Sequence, residues 1–184
     1  MSMLKVGDKL PDFRLQATVD THISRTFTEI TQASFPGKWL ILFFWPKDFT
    51  FVCPTEIVAF NDLNEQFIKN NAVLLGGSTD SEFVHRAWRQ HNKELNNLSF
   101  PMLSDIKHEL CCSLGILDDE AGVAQRATFI IDPKGIIRFI MVTDLSIGRN
   151  PTEVLRILRA LQEGGLCPCN WQPGQRTINV AEVA

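Results

Sequence analysis

Apolar residues run without interruption through 39–45, Trp-Leu-Ile-Leu-Phe-Phe-Trp, and show no helical stripe. That pattern predicts a strand covered on both faces of a sheet. The period then changes. Ile57, Phe60, Leu63 and Phe67 recur at helical spacing behind Pro54, predicting a helix from 54 to about 70 with the proline in its first turn. Ahead of this unit, Phe13, Leu15, Ala17 and Val19 alternate with polar neighbours, which reads as short irregular strands between 7 and 28. Behind it, the run 72–77 (Ala-Val-Leu-Leu-Gly-Gly) predicts a second buried strand. It ends in Ser78-Thr79-Asp80-Ser81, whose side chains suit a helix cap. The helix expected next, about 82–93, carries Phe83, Ala87 and His91 along one face.

Phe100-Pro101-Met102-Leu103 reads as a short, edge-like strand, with Ser104 and Asp105 capping a helix through Leu114. Strands at 127–131 and 135–142 flank Asp132-Pro133-Lys134-Gly135, a turn with Pro and Gly well placed for a hairpin. A last helix opens at Asn150-Pro151, presents Val154, Ile157, Leu158 and Leu161, and stops at Gly164-Gly165. Strands alternating with helices and closed by a hairpin give an α/β sandwich. The pattern alone leaves its topology open.

Composition narrows the function classes. The 184 residues suffice for one domain with a sizeable core, residues 1–163, with 164–184 as a C-terminal tail of the same domain. Eighteen basic and 21 acidic residues give a net charge of −3 and no basic stripe, so nucleic-acid binding has no electrostatic support. No apolar run approaches the ~20 residues of a membrane span, and Met1-Ser2-Met3-Leu4-Lys5 lacks the pattern of an export signal. The expectation is a cytoplasmic protein without a membrane partner. Five cysteines, an odd number, argue for thiols that cycle rather than a fixed disulfide framework. Their spacing, and that of His22, His85, His91 and His108, lacks the paired knuckles of a zinc site, so no metal and no cofactor are expected. The histidines sit among polar residues and read as surface groups. Cys111 and Cys112 read as packing residues.

Cys53 stands apart. It falls where the 39–45 strand should turn into a helix, beside unpaired N–H groups and the positive end of the helix dipole, a setting that favours thiolate over thiol. Thr50, one turn ahead, supplies a hydroxyl that can accept a backbone hydrogen bond or donate to the sulfur or a substrate oxygen. The Pro46 ring can shield the site from water without adding a donor. Pro-x-x-x-Thr-x-x-Cys is a specific pattern, and it points to a nucleophile.

The stretch 44–56, Phe-Trp-Pro-Lys-Asp-Phe-Thr-Phe-Val-Cys-Pro-Thr-Glu, resembles the active-site motif of the peroxiredoxins without a gap. Within that family it is most similar to typical two-cysteine enzymes of the bacterial alkyl hydroperoxide reductase C type. Further landmarks follow in the family's order: Gly77-Ser78-Thr79-Asp80-Ser81, Trp88, 100–105, 126–133 around Arg126, and Leu166-Cys167-Pro168-Cys169-Asn170-Trp171.

The resemblance implies a thioredoxin-like fold and a thiol-dependent peroxidase acting on hydrogen peroxide, organic hydroperoxides and peroxynitrite. It implies Cys53 as attacking sulfur and Arg126 as the guanidinium that meets developing charge on oxygen. Glu56 then either complements the helix dipole or orients Arg126, and Trp88 either packs or walls the site. Cys167 aligns with the resolving cysteine, implying a Cys53–Cys167 disulfide between subunits of a homodimer, with dimers closing into a ring. Cys169 departs from most relatives. The Cys-Pro-Cys-Asn-Trp tail resembles the mycobacterial subgroup, reduced by an AhpD-type partner, with Cys169 as a candidate relay; thioredoxin or a flavoprotein is the other expected reductant. A thiol–disulfide exchange protein is disfavoured by the absence of Cys-x-x-Cys at Cys53. A redox sensor or holdase chaperone on the same fold stays as the alternative.

Overall fold

In the computed structural model, which describes residues 4–22 and 26–180, a seven-stranded sheet runs through the molecule with strands in the order β2-β1-β5-β4-β3-β8-β9. The strands are β1 (Arg14–Thr18), β2 (Phe27–Thr31), β3 (Trp39–Phe44), β4 (Ala72–Ser78), β5 (Met102–Ser104), β8 (Arg126–Ile131) and β9 (Ile137–Thr143). A small hairpin of β6 (Leu117–Asp118) and β7 (Val123–Ala124) stands outside the sheet. Among the described residues five helices accompany the strands: α1 (Val52–Asp62), α2 (Asn64–Lys69), α3 (Glu82–His91), α4 (Glu109–Leu114) and, after β9, α5 (Pro151–Glu163). No helix of the described residues is long and apolar enough to cross a membrane.

The uninterrupted apolar run forms the inner strand β3, between β4 and β8, and its alternation divides two cores. Leu40, Leu42 and Phe44 join Leu15, Leu75, Leu110 and Phe129 on one side. Ile41, Phe43 and Trp45 join Phe60, Phe67, Trp88 and Leu158 on the other, beneath α1, α2, α3 and α5. Burying one such side chain completely stabilises the fold by about 1.5–3 kcal/mol. The second core is dense with rings. Phe43 and Phe60 stack at 4.1 Å, and a Cβ at Gly76 would lie 2.8 Å from the rings of Phe43, Trp45 and Phe100, so only glycine lets β4 pass.

Four expectations need correction. The helix from 54 to about 70 is two helices meeting at Leu63, and α1 begins at Val52, which puts Cys53 inside the first turn. The 100–103 segment is no edge. Once past Pro101, whose carbonyl accepts from the Gly76 N–H, β5 pairs with both β1 and β4. The face chosen for the helix after Ser81 is reversed: Phe83, Ala87 and His91 are exposed, while His85, Trp88 and Arg89 are buried. Apolar counting failed there because the inward face carries a histidine bonded at both ring nitrogens and an arginine held through Nη1 and Nη2, although the arginine Nε is buried without a partner. The surface reading of the histidines fails for His85, which is 0% exposed, and holds for the exposed His22 and His91.

Strand directions place the chemistry. The parallel β3 and β4 and the antiparallel β8 pair Phe43 with Gly76 and with Thr128. The carboxyl end of β3, which feeds the loop into α1, therefore lies beside the amino end of β8, where Arg126 stands. Residues 73 apart in sequence meet because two strands run in opposite directions.

Candidate active site

Cys53 is the second residue of α1 and is 1% exposed. Arg126 projects from the start of β8, itself 4% exposed, and its Nη1 lies 3.2 Å from the Cys53 sulfur. The same nitrogen donates to Glu56 Oε2 at 2.7 Å, and its Nε donates to the Leu145 carbonyl at 2.7 Å. Glu56 thus orients Arg126, which decides between its two sequence readings. A guanidinium pinned on two sides cannot swing away, so its charge stays aimed at the sulfur.

A residue that the sequence reading missed completes the arrangement. Arg149 donates to Glu56 Oε1 through its backbone N–H at 2.8 Å and its Nε at 2.7 Å, and to Oε2 through Nη2 at 3.0 Å. Its Nη1 is taken by the Ala127 carbonyl and the Thr128 hydroxyl, and the guanidinium lies over the rings of Phe43 and Phe60. A signal existed in Gly148-Arg149-Asn150. A cation directly before a helix N-cap opposes the helix dipole and needs a compensating anion.

Two guanidiniums and one carboxylate leave one net positive charge in the buried space beside the Cys53 sulfur. Burial alone would push the Glu56 carboxyl up. The hydrogen bonds and charge of Arg149, and then the charge of Arg126, more than offset this and hold it below its ordinary 4.5. Glu56 therefore carries its negative charge through the neutral range.

The Thr50 hydroxyl donates to the Lys47 carbonyl at 3.0 Å. Its proton is committed there, which leaves the hydroxyl oxygen as an acceptor. Pro46 is buried in the same loop, whereas Phe51 at its tip is 93% exposed. A second buried network fixes the loop from behind. Asp48 accepts from the Trp45 indole at 2.7 Å, its other oxygen lies 2.6 Å from His85 Nδ1, and His85 Nε2 lies 2.9 Å from the Leu103 carbonyl. Burial alone would lower His85, but the charge and hydrogen bond of Asp48 and the Leu103 carbonyl raise it above 6.5. Trp88, 3% exposed, lies between Trp45 and Phe49 with its ring tilted against both, packed beneath the loop.

The structure does not bring every expected site residue together. Cys167 is half-buried against α5, its sulfur 3.7 Å from the Ala160 carbonyl, and Cys169 is exposed on the same tail. Cys111 is buried in the core opposite α1, where burial and the Asp105 carboxylate push its thiol up, and Cys112 is half-buried. All five thiols are free. A cleft of about 540 Å³ between β1–β2 and α4, lined by Arg14, Lys107 and Glu109 among others, contains none of the residues around Cys53. Volume does not mark the chemistry here.

Comparison with known proteins gives consistent matches. The model of the AhpC/TSA family matches residues 6–140. Alkyl hydroperoxide reductase C of Mycolicibacterium smegmatis is 50% identical over 100% of this chain and 97% of its own length. Among solved structures, Mycobacterium tuberculosis AhpC is 49% identical with a TM-score of 0.85, covering 92% of this chain and 99% of its own. The reduced Plasmodium vivax 2-Cys peroxiredoxin is 36% identical with a TM-score of 0.90, covering 98% of this chain and 95% of its own.

Proposed function

Because the chain belongs to the AhpC/TSA family and is a peroxiredoxin of the alkyl hydroperoxide reductase C kind, we propose that Cys53 is its attacking sulfur, with Arg126, Thr50 and Pro46 completing the site. The observation that carries this reading is the 3.2 Å approach of Arg126 Nη1 to a buried Cys53 sulfur while Glu56 and the Leu145 carbonyl hold the guanidinium still.

In the reaction the Cys53 thiolate attacks the terminal oxygen of a hydroperoxide in line with the O–O bond. The S–O bond forms as O–O breaks, and the departing oxygen takes a proton from the attacked O–H or from solvent to leave as an alcohol or water, or departs as nitrite from peroxynitrite. Arg126 neutralises charge as it moves from sulfur to that oxygen. The Thr50 lone pairs accept from the peroxide O–H and fix which oxygen is attacked. Donors already in place cost no reorganisation, which makes them effective in a dry site. Hydrogen peroxide, organic hydroperoxides and peroxynitrite all present the required O–O bond.

The resulting Cys53 sulfenic acid condenses with Cys167 of a second subunit, releasing water, and Cys169 relays the oxidising equivalent outward by thiol exchange. Support for the relay is its exposure two residues from Cys167. Dimers that further assemble into a ring, an AhpD-type reductant and a cytoplasmic location complete the reading.

The test is peroxide consumption with dithiothreitol, run beside insulin-disulfide reduction. The proposal requires consumption by the parent, loss of it in Cys53→Ser, and little insulin reduction. Persistent peroxide turnover by Cys53→Ser overturns it.

A further inference from the structure

The tail that carries Cys167 is held largely to itself. Leu166 bridges to Ile178, the Trp171 N–H donates to the Pro168 carbonyl, and the Trp171 indole donates to the Gln175 carbonyl at 3.0 Å. Its link to the folded body runs through α5. Arg156 Nη1 donates to the Trp171 carbonyl at 2.9 Å, and the Cys167 sulfur makes its weak 3.7 Å contact with Ala160. Arg156 is aimed by Glu153 through two short bonds, Nε to Oε2 at 2.6 Å and Nη2 to Oε1 at 2.7 Å. Beside this joint a polar cleft of about 330 Å³ opens between the tail and α5, lined by Asn70, Arg159, Gln162 and Trp171 among others. Trp171 is 1% exposed, and among the described residues its ring and the Arg156 guanidinium join the tail to α5 beside this polar cleft.

Cys53 is 1% exposed and Cys167 is half-buried against α5, so a bond between these sulfurs requires a covering segment to move, and the tail on α5 is the candidate. We propose that Arg156, oriented by Glu153, is a positioning residue that latches the Trp171 carbonyl and sets how often Cys167 is released to meet a sulfenic acid. This rests on the reading of Cys167 as resolving cysteine. The step it controls is balanced: S–S forms between Cys53 and Cys167, the Cys53 S–O bond breaks, and the hydroxyl leaves as water with the Cys167 proton. While the latch is closed, the sulfenic acid stays exposed to further peroxide and to sulfinic acid formation. A hydrogen bond to a charged donor biases such an equilibrium by about ten- to a hundredfold.

The test compares the parent with Arg156→Met, which keeps a long side chain without donors, and Arg156→Lys, which keeps a charged donor. Single-turnover quenching and mass spectrometry give the rates of Cys53 oxidation and of disulfide formation, and hydrogen exchange reads the 166–175 backbone. Arg156→Met should leave Cys53 oxidation unchanged, form the disulfide about tenfold faster, raise exchange over 166–175 but not in α5, and need about tenfold more peroxide to accumulate sulfinic acid. Arg156→Lys should stay close to the parent. Glu153→Gln, which frees the guanidinium without removing it, should shift the same way by less and carries the test if Arg156→Met does not fold. Disulfide formation no faster than in the parent overturns the latch. A slower rate means instead that the Arg156 charge, which also acts on Cys167 and Cys169, serves the attacking thiol. An undiminished disulfide in Cys167→Ser overturns the underlying reading and not the latch alone.

Discussion

Glu56 and Arg149 meet through two parallel hydrogen bonds of 2.7 and 3.0 Å, and the backbone N–H of Arg149 adds a third at 2.8 Å. Glu56 is 2% exposed, so removing its partner would leave a carboxylate buried against one remaining cation. Breaking a buried pair in this way costs about 3–5 kcal/mol. Arg149→Met should therefore lower Tm markedly and slow the Cys53 reaction with peroxide, because Glu56, which holds Arg126, loses the contacts that fix its own position. Arg149→Lys should not restore either property, since an ammonium cannot make the paired contacts. Thermal unfolding and stopped-flow oxidation check this, and a parent-like Tm for Arg149→Met would contradict it.

Arg126 contributes at the sulfur itself. Losing one positioned donor at developing charge costs about 3 kcal/mol, so Arg126→Ala should slow single-turnover oxidation of Cys53 by ~100-fold. Thr50→Val should fall comparably, because it removes the acceptor that orients the peroxide. A near-unchanged rate in either variant would remove that residue from the site.

The two buried networks predict opposite pH limits on stability. Glu56 is held below 4.5, so its contribution is complete above that value and is lost as pH falls through the lowered pKa. His85 is raised above 6.5, so its contribution is complete below 6.5 and is lost as pH rises through the raised value. The Tm gap between the parent and Glu56→Gln should narrow toward acid. The gap to His85→Gln should narrow toward alkali. Unfolding curves across pH decide the matter, and gaps that stay constant would show that neither charge is coupled to folding.

The five thiols should separate by reactivity toward iodoacetamide in the folded, reduced protein. Exposed Cys169 should label readily, and Cys111, buried and pushed up by burial and Asp105, should resist until unfolding. Replacing both Cys111 and Cys112 by Ser should leave turnover nearly intact. Loss of turnover with the fold preserved would give this pair a role the structure does not show.

Much of the core was legible because β3 states its environment directly: seven apolar residues in a row require cover on both sides. Cys53 was legible because a strand, a proline and a helical stripe bracket it locally. Arg149 was not. Its partner, Glu56, lies 93 residues earlier, and a cation ahead of a helix cap signals that an anion is needed without naming which one. The inward face of α3 was hidden for a related reason. His85 and Arg89 are polar in the sequence and become core residues only because Asp48, Leu103, Thr18 and Leu98 supply partners from distant segments.

The central claim concerns one sulfur and its partner, and a single experiment reaches both. Reduced protein is treated with one equivalent of hydrogen peroxide, alkylated, digested without reductant and analysed by mass spectrometry, with mixed isotope-labelled and unlabelled chains to report crossing between subunits. The account predicts Cys53 joined to Cys167 of a differently labelled chain, with Cys111 and Cys112 recovered as alkylated thiols. Cys53 recovered as an unmodified alkylated thiol, with the oxidising equivalent on other cysteines, would contradict it.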